Sequence, residues 1–107
     1  CIVVAAAGNE GENGNPLRGR LSYPASHEGV ISVGAVDQNE DHSYFSQFNQ
    51  CVDVAAPGEG VLVANTLNGK SGEYTAEDGT SFASPYVAGI AALARSVDRS
   101  ITAPYFE

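Results

Sequence analysis

The stretch GTSFASPYVAG, residues 79–89, decides how the chain is read. A glycine that permits a close backbone approach is followed by Thr80 and Ser81, and the sequence then runs on as FASPYVAGIAALARSV to Val97. Ala and Leu throughout, Pro85 in a tolerated first turn and Arg95 near the end, where a positive charge meets the helix dipole, predict a helix from Ser81 to about Val97. Its apolar residues surround it almost completely, which predicts a central, buried helix. Ser81 then has two readings. Its hydroxyl suits an N-cap, satisfying free N–H groups of the first turn. The same place suits a nucleophile, because the dipole there favours developing negative charge and the small Ala83 and Ser84 follow it. The esterase elbow GxSxG is not matched, since Ala83 stands where the second glycine belongs, and this disfavours an α/β-hydrolase.

Upstream of that helix the chain is punctuated by apolar runs. Residues 1–7 stop at Gly8, Val30–Val36 stops at Asp37, and Val52–Ala56 is cut off by Pro57 and Gly58. Continuous apolar runs of this length fit strands buried on both faces, as in a parallel sheet. GNEGENGNP between the first two must be a loop. Val61–Ala64 and Tyr74–Ala76 read as short strands or a hairpin before the helix, whereas the tail VDRSITAPYFE has no clear pattern. The class is therefore α/β, with one covering helix for three parallel-type strands. A parallel sheet needs both faces covered, so residues 1–107 are expected to be a single, partial domain.

Composition narrows the function. Thirteen acidic side chains against five basic ones give a formal charge of −8 with no Lys/Arg cluster, so nucleic acid is a poor partner. No run is long enough to span a bilayer, and the opening CIVVAAAG is neither a signal peptide nor an anchor; it reads as the middle of a larger gene product. Cys1 and Cys51 begin the first and third predicted strands. Roughly two strand spacings would separate them, beyond disulfide reach. Asp37, Asn39 and Asp41 imitate an EF-hand opening, but His42 replaces the turn glycine and Phe48 the bidentate Glu. Gly8, Gly11 and Gly14 lack the GxGxxG spacing and a following helix, which argues against a dinucleotide.

GTSFASPYVAG resembles the nucleophile segment of the subtilisin-like serine proteases. AAAGNEG at residues 5–11, YPAS at 23–26, VISVGAVD at 30–37 and DVAAPG at 53–58 resemble four further segments of that family in the family's order. The resemblance implies part of a subtilisin-like three-layer fold whose central buried helix begins at the nucleophile. It implies that Ser81 attacks the scissile carbonyl and that Asn9 donates its side-chain amide to the oxyanion, joined by the backbone N–H of Ser81. Read from residues alone, Asn9 is equally a left-handed turn residue. By the same resemblance Ala6, Ala7 and Gly8 form a wall of the pocket for the side chain before the cut bond. Glu10 lies near the mouth of that pocket and Thr80 supports the oxyanion site. Phe45 resembles a leaving-side contact, although an aromatic in such a pattern is more often core.

In that family the order is Asp, His, Ser, so base and orienting acid should precede Ser81. His27 in ASHEG and His42 in EDHSY lack the family's neighbours and read as surface residues. The general base and its acid are thus expected upstream, on the other half of the catalytic domain, and the 107-residue chain alone is expected to be inactive. The implied function is a serine endopeptidase acting on peptide or protein substrates through an acyl-enzyme. The rival reading is a non-catalytic binding or structural domain on the same scaffold, pairing with another chain through an exposed edge at Cys1–Ala7. The chemistry needs no cofactor. Calcium or another cation is expected, if anywhere, at the carbonyls of Ala25, His27 and Val30 near Asp53, and the resemblance implies an extracellular or secretory setting.

Overall fold

The three apolar runs become one parallel sheet. In the computed structural model, which describes residues 1–65 and 72–103, strands β1 (Val3–Ala6), β2 (Val30–Val36) and β3 (Val54–Pro57) lie in the order β1-β2-β3. Val3 stands opposite Val30, and Val33 opposite Val54. Central β2 is the most buried, as the strand with neighbours on both sides should be. β1 and β3 are shorter than the runs that announced them. Cys1 and Cys51 are free thiols that lie ahead of β1 and β3 rather than at their first positions. Strands β4 (Val61–Asn65) and β5 (Glu73–Glu77) form the antiparallel hairpin expected ahead of the helix, with Val61 opposite Glu77.

Helix α1 (Thr80–Val97) lies across β1, β2 and β3. Eighteen residues in isolation would be only marginally helical, so the packing holds it. Ala83 and Val87 meet Ile31, Val33 and Ala35 of β2, together with Phe45, Ala56 and Ala103, in one buried cluster. Each large apolar side chain so buried contributes about 1.5–3 kcal/mol. Phe45 is therefore core.

Three details of α1 differ from the sequence reading. The helix starts at Thr80, and its N-cap is Gly79 with no side-chain capping bond, so Ser81 is the second helical residue, exposed, and does not cap. Pro85 consequently falls in the second turn, where its missing N–H deprives the Ser81 carbonyl of its i+4 donor. Finally, burial follows a single stripe of Thr80, Ala83, Val87 and Ala91, while Tyr86, Ile90, Leu93 and Val97 are exposed. The expected burial on all sides is thus met only toward the sheet. Among the described residues no further layer lies over the outer face.

Two glycines allow the close approaches that bring the loops onto the sheet. A Cβ at Gly11 would fall 1.9 Å from the Ser46 carbonyl oxygen. One at Gly58 would fall 2.5 Å from the Ala35 Cβ and 2.9 Å from the Gly79 carbonyl oxygen. Gly58 also links the end of β2 to the start of the helix, donating to the Val36 carbonyl (3.0 Å) and accepting from the Gly79 N–H (2.8 Å). Where β1, β2 and β3 end, the helix begins.

Candidate active site

The carboxyl edge of a parallel sheet is where such folds gather ligands, because the loops leaving the strands converge there. Gly8 and Asn9 follow β1, Gly58 follows β3, and the N-terminus of α1 meets both. Asn9 reaches the helix start directly. Its Oδ1 accepts the Thr80 backbone N–H at 2.9 Å and the Thr80 hydroxyl at 2.9 Å. A backbone N–H can only donate, so the atom facing it must be the oxygen. This fixes the orientation of the carboxamide and leaves Nδ2 as the outward donor, 3.6 Å from the position a Cβ would take on Gly79. The Thr80 hydroxyl is also determined: it accepts the Gly8 N–H at 3.2 Å and so must give its own proton to Asn9.

Ser81 stands next to this junction. Of the first-turn donors, the Thr80 N–H goes to Asn9 and the Phe82 N–H to the Gly79 carbonyl (3.1 Å). The Ser81 N–H is one of those that a helix cannot satisfy internally. No acidic side chain occupies the first turn, so nothing there offsets the positive end of the dipole. Asp78, just outside, is engaged through Oδ1 by the Gly60 N–H at 2.8 Å.

The pocket residues divide. Ala7 is buried, and Glu10 is exposed with its carboxylate folded back so that Oε2 accepts the Asn9 N–H at 3.1 Å. A concavity of about 280 Å³ lies beside Glu10, lined by Leu17, Arg20, Leu21, Ser22 and Tyr23 rather than by Ala6, Ala7 and Gly8. Ser22 joins the two groups, its hydroxyl donating to the Ala7 carbonyl. Glu10 itself also lines it; of the other five, Ser22 and Tyr23 adjoin or belong to the YPAS segment and Leu17 follows the GNEGENGNP loop. The histidines stand apart from the helix start. The His27 ring packs on Tyr23 (4.7 Å between centroids) and His42 edge-on to Phe48 (5.5 Å).

As for a cation, the His27 carbonyl accepts the Val30 N–H (3.2 Å) and Asp53 Oδ2 the Ser32 N–H (2.8 Å). Among the described residues no three His, Cys, Asp or Glu side chains gather as a metal site would require.

A profile of the Subtilase family, Peptidase_S8, matches residues 1–105. The chain belongs to the subtilase family. It is 48% identical to subtilisin DY of Bacillus licheniformis over 92 residues, covering 86% of this chain and 31% of that protein. It is 43% identical over 108 residues to an intracellular serine protease of Paenibacillus polymyxa, covering 96% of this chain and 32% of the relative. Among solved structures, a protease from Pseudoalteromonas arctica superposes with a TM-score of 0.82 at 32% identity, over 98% of this chain and 33% of that one. The prenylagaramide maturation protease PagA superposes at 0.75 with 34% identity, over 90% and 32%. This subtilase chain thus spans about a third of the length of the relatives it matches. Its α/β fold, with a parallel sheet and a helix, is theirs, and the general function of the family is serine proteolysis.

Proposed function

We propose that these residues form the nucleophile and oxyanion half of a serine endopeptidase that works through an acyl-enzyme. The observation that carries this reading is the pair of hydrogen bonds from Thr80 to Asn9 Oδ1, which brings a residue 71 positions away to the neighbour of Ser81 and leaves its Nδ2 as the donor near Gly79. In the proposed step, Ser81 Oγ attacks the carbonyl carbon of the substrate and gives its proton to a base. The oxyanion accepts hydrogen bonds from Asn9 Nδ2 and the Ser81 backbone N–H, in the field of the helix terminus. The base then protonates the leaving amine, and water releases the acyl group by the same steps in reverse order. Base and orienting acid belong, in this reading, to an upstream half of the domain, so this half alone does not turn over.

The substrate is a peptide or protein. Its side chain before the cut bond enters the concavity beside Glu10, whose lining holds Arg20 as well as that carboxylate together with Leu17, Leu21 and Tyr23, and which therefore suits a large apolar or aromatic group. A carbonyl-held calcium near Ala25, His27 and Val30 remains a separate proposal, tested by whether calcium raises Tm, and no chemical step depends on it. Among the described residues no helix is long and apolar enough to cross a membrane. An extracellular setting is proposed by analogy with the family, and secretion of the complete gene product into the medium tests it.

The deciding experiment is active-site labelling with a fluorophosphonate, followed by peptide mapping. Ser81 is labelled when the upstream half is present and not when these residues are made alone. Equal labelling of both, or labelling that survives Ser81→Ala, removes the reading. A fold that binds peptides without ever being labelled would point to the non-catalytic domain instead.

A further inference from the structure

The loop that carries Asn9 has two ends, and one buried side chain ties them together. Gln47 is 2% exposed. Its backbone N–H donates to the Gly8 carbonyl at 2.9 Å, immediately before Asn9. Its side-chain Nε2 donates both protons to the far part of the same loop, to the carbonyls of Leu17 and Arg20, each at 2.8 Å. The Gln47 Cβ also lies 3.6 Å from where a Cβ on Gly8 would be, filling the space under the turn. A neighbouring bond, Gly11 N–H to the Phe45 carbonyl (2.9 Å), holds the other side of Asn9 to the same segment.

Backbone carbonyls can be held in this way by any donor of the right reach. A glutamine is notable because its other half is unsatisfied: Gln47 Oε1 is buried with no partner among the described residues. An unpaired buried carbonyl oxygen is a stability cost that an apolar side chain of the same length would not carry. The two donated protons are what tie the Leu17 and Arg20 carbonyls to the segment beneath Gly8.

We propose that Gln47 is a positioning residue for the oxyanion site, holding the turn at Gly8 and the wall at Leu17–Arg20 as one rigid unit so that Asn9 Nδ2 stays aimed beside Ser81. This rests on the reading of Asn9 and Ser81 given above. Thr80 fixes the tip of the Asn9 side chain, and Gln47 fixes the backbone from which that side chain springs. A displacement on the order of 1 Å in a catalytic donor costs up to about a hundredfold in rate, so the support need fail only slightly to be felt.

The test uses the complete gene product that carries these residues and a small activated ester, p-nitrophenyl acetate, whose acyl group makes no use of the side-chain pocket. Gln47→Met keeps length and volume and removes both donors. It is expected to lower kcat by about tenfold in the wild-type background, and by less than about twofold in an Asn9→Ala background, because the group it positions is then gone. A purely structural role gives the same factor in both backgrounds, and that result, or an unchanged kcat in folded Gln47→Met, overturns the proposal. If Gln47→Met does not fold, Gln47→Glu takes its place, keeping the shape while turning an oxygen toward the two carbonyls. Failure of the underlying reading has a different signature: Asn9→Ala or Ser81→Ala would then retain full esterase activity.

Discussion

Thr80→Val in the complete gene product isolates what the Asn9 junction contributes. Thr80 is 1% exposed, and valine has nearly its shape, so packing is conserved and only the hydroxyl is lost. Two hydrogen bonds go with it: the donation to Asn9 Oδ1 at 2.9 Å and the acceptance of the Gly8 N–H at 3.2 Å. The first is a made bond worth about 1 kcal/mol net, and Asn9 Oδ1 still keeps the Thr80 N–H. The second leaves a part-buried N–H without a partner, which costs about 1–3 kcal/mol. Together they predict a loss of about 2–4 kcal/mol, read as a lower urea midpoint with an unchanged m value. The carboxamide loses one of its two tethers, so kcat should also fall, by less than the full loss of the donor. Thr80→Ser is the control. It keeps both bonds and removes one buried methyl, at about 1 kcal/mol in stability, and it should preserve kcat. Stability of Thr80→Val within about 0.5 kcal/mol of wild type, or an equal kcat loss in the serine variant, would refute this account of the junction.

Asn9→Asp keeps the acceptor that Thr80 binds and replaces the outward donor by a carboxylate oxygen. The urea midpoint should hold or rise near the helix terminus, while kcat drops by on the order of 10² to 10³, the magnitude known for this family's own asparagine. Gly58→Ala drives a methyl into the Ala35 Cβ and the Gly79 carbonyl oxygen, and denaturation should show a loss of about 1–3 kcal/mol. Past the helix, the Ser100 hydroxyl and then its N–H hold the Asp98 carboxyl below its ordinary value of 3.8. A lowered carboxyl stabilises the fold above 3.8 and loses that effect as pH falls through the folded value. Ser100→Ala should therefore move the Asp98 pKa upward in an NMR titration. Leu93→Lys tests the outer face of α1: on an open surface it costs no more than about 0.5 kcal/mol. Under a covering layer, as the proposed upstream half would provide, the buried charge should cost several-fold more than that, read as a lower urea midpoint of the complete gene product.

The sheet was legible because its strands are apolar runs ended by residues that cannot continue them: Gly8 after β1, Asp37 after β2, Pro57 within the last position of β3. Val61–Ala64 and Tyr74–Ala76 were legible as short strands or a hairpin, and the structure pairs them antiparallel. The contacts that assemble the site were not, since most of them are made to backbone. Leu17 and Arg20 enter through their carbonyls, and a carbonyl is the same in every residue, so no pattern in SYFSQF marks Gln47 as their partner. The concavity beside Glu10 was missed for the same reason: its far wall belongs to a loop whose position is set by those carbonyls.

The helix shows where the reading of a pattern depends on how much chain surrounds it. An 18-residue segment that is apolar on nearly all sides predicts burial on all sides, and the sequence gives no means of saying which layer will supply each side. The sheet takes the stripe through Ala83, Val87 and Ala91. Tyr86, Ile90, Leu93 and Val97 recur one turn apart on a flank roughly a quarter-turn round the helix from that stripe and are 48%, 55%, 70% and 90% exposed. Near its start the same helix borders a concavity of about 320 Å³ whose lining of Val61, Leu62, Val63, Phe82, Pro85 and Tyr86 is apolar. Scattered apolar residues at a surface need no explanation, whereas a continuous face beside an apolar hollow does. That face begins at Tyr86, within two turns of Ser81. The surface in want of a covering layer thus adjoins the serine in want of a base, and in the proposed protease one upstream segment meets both needs.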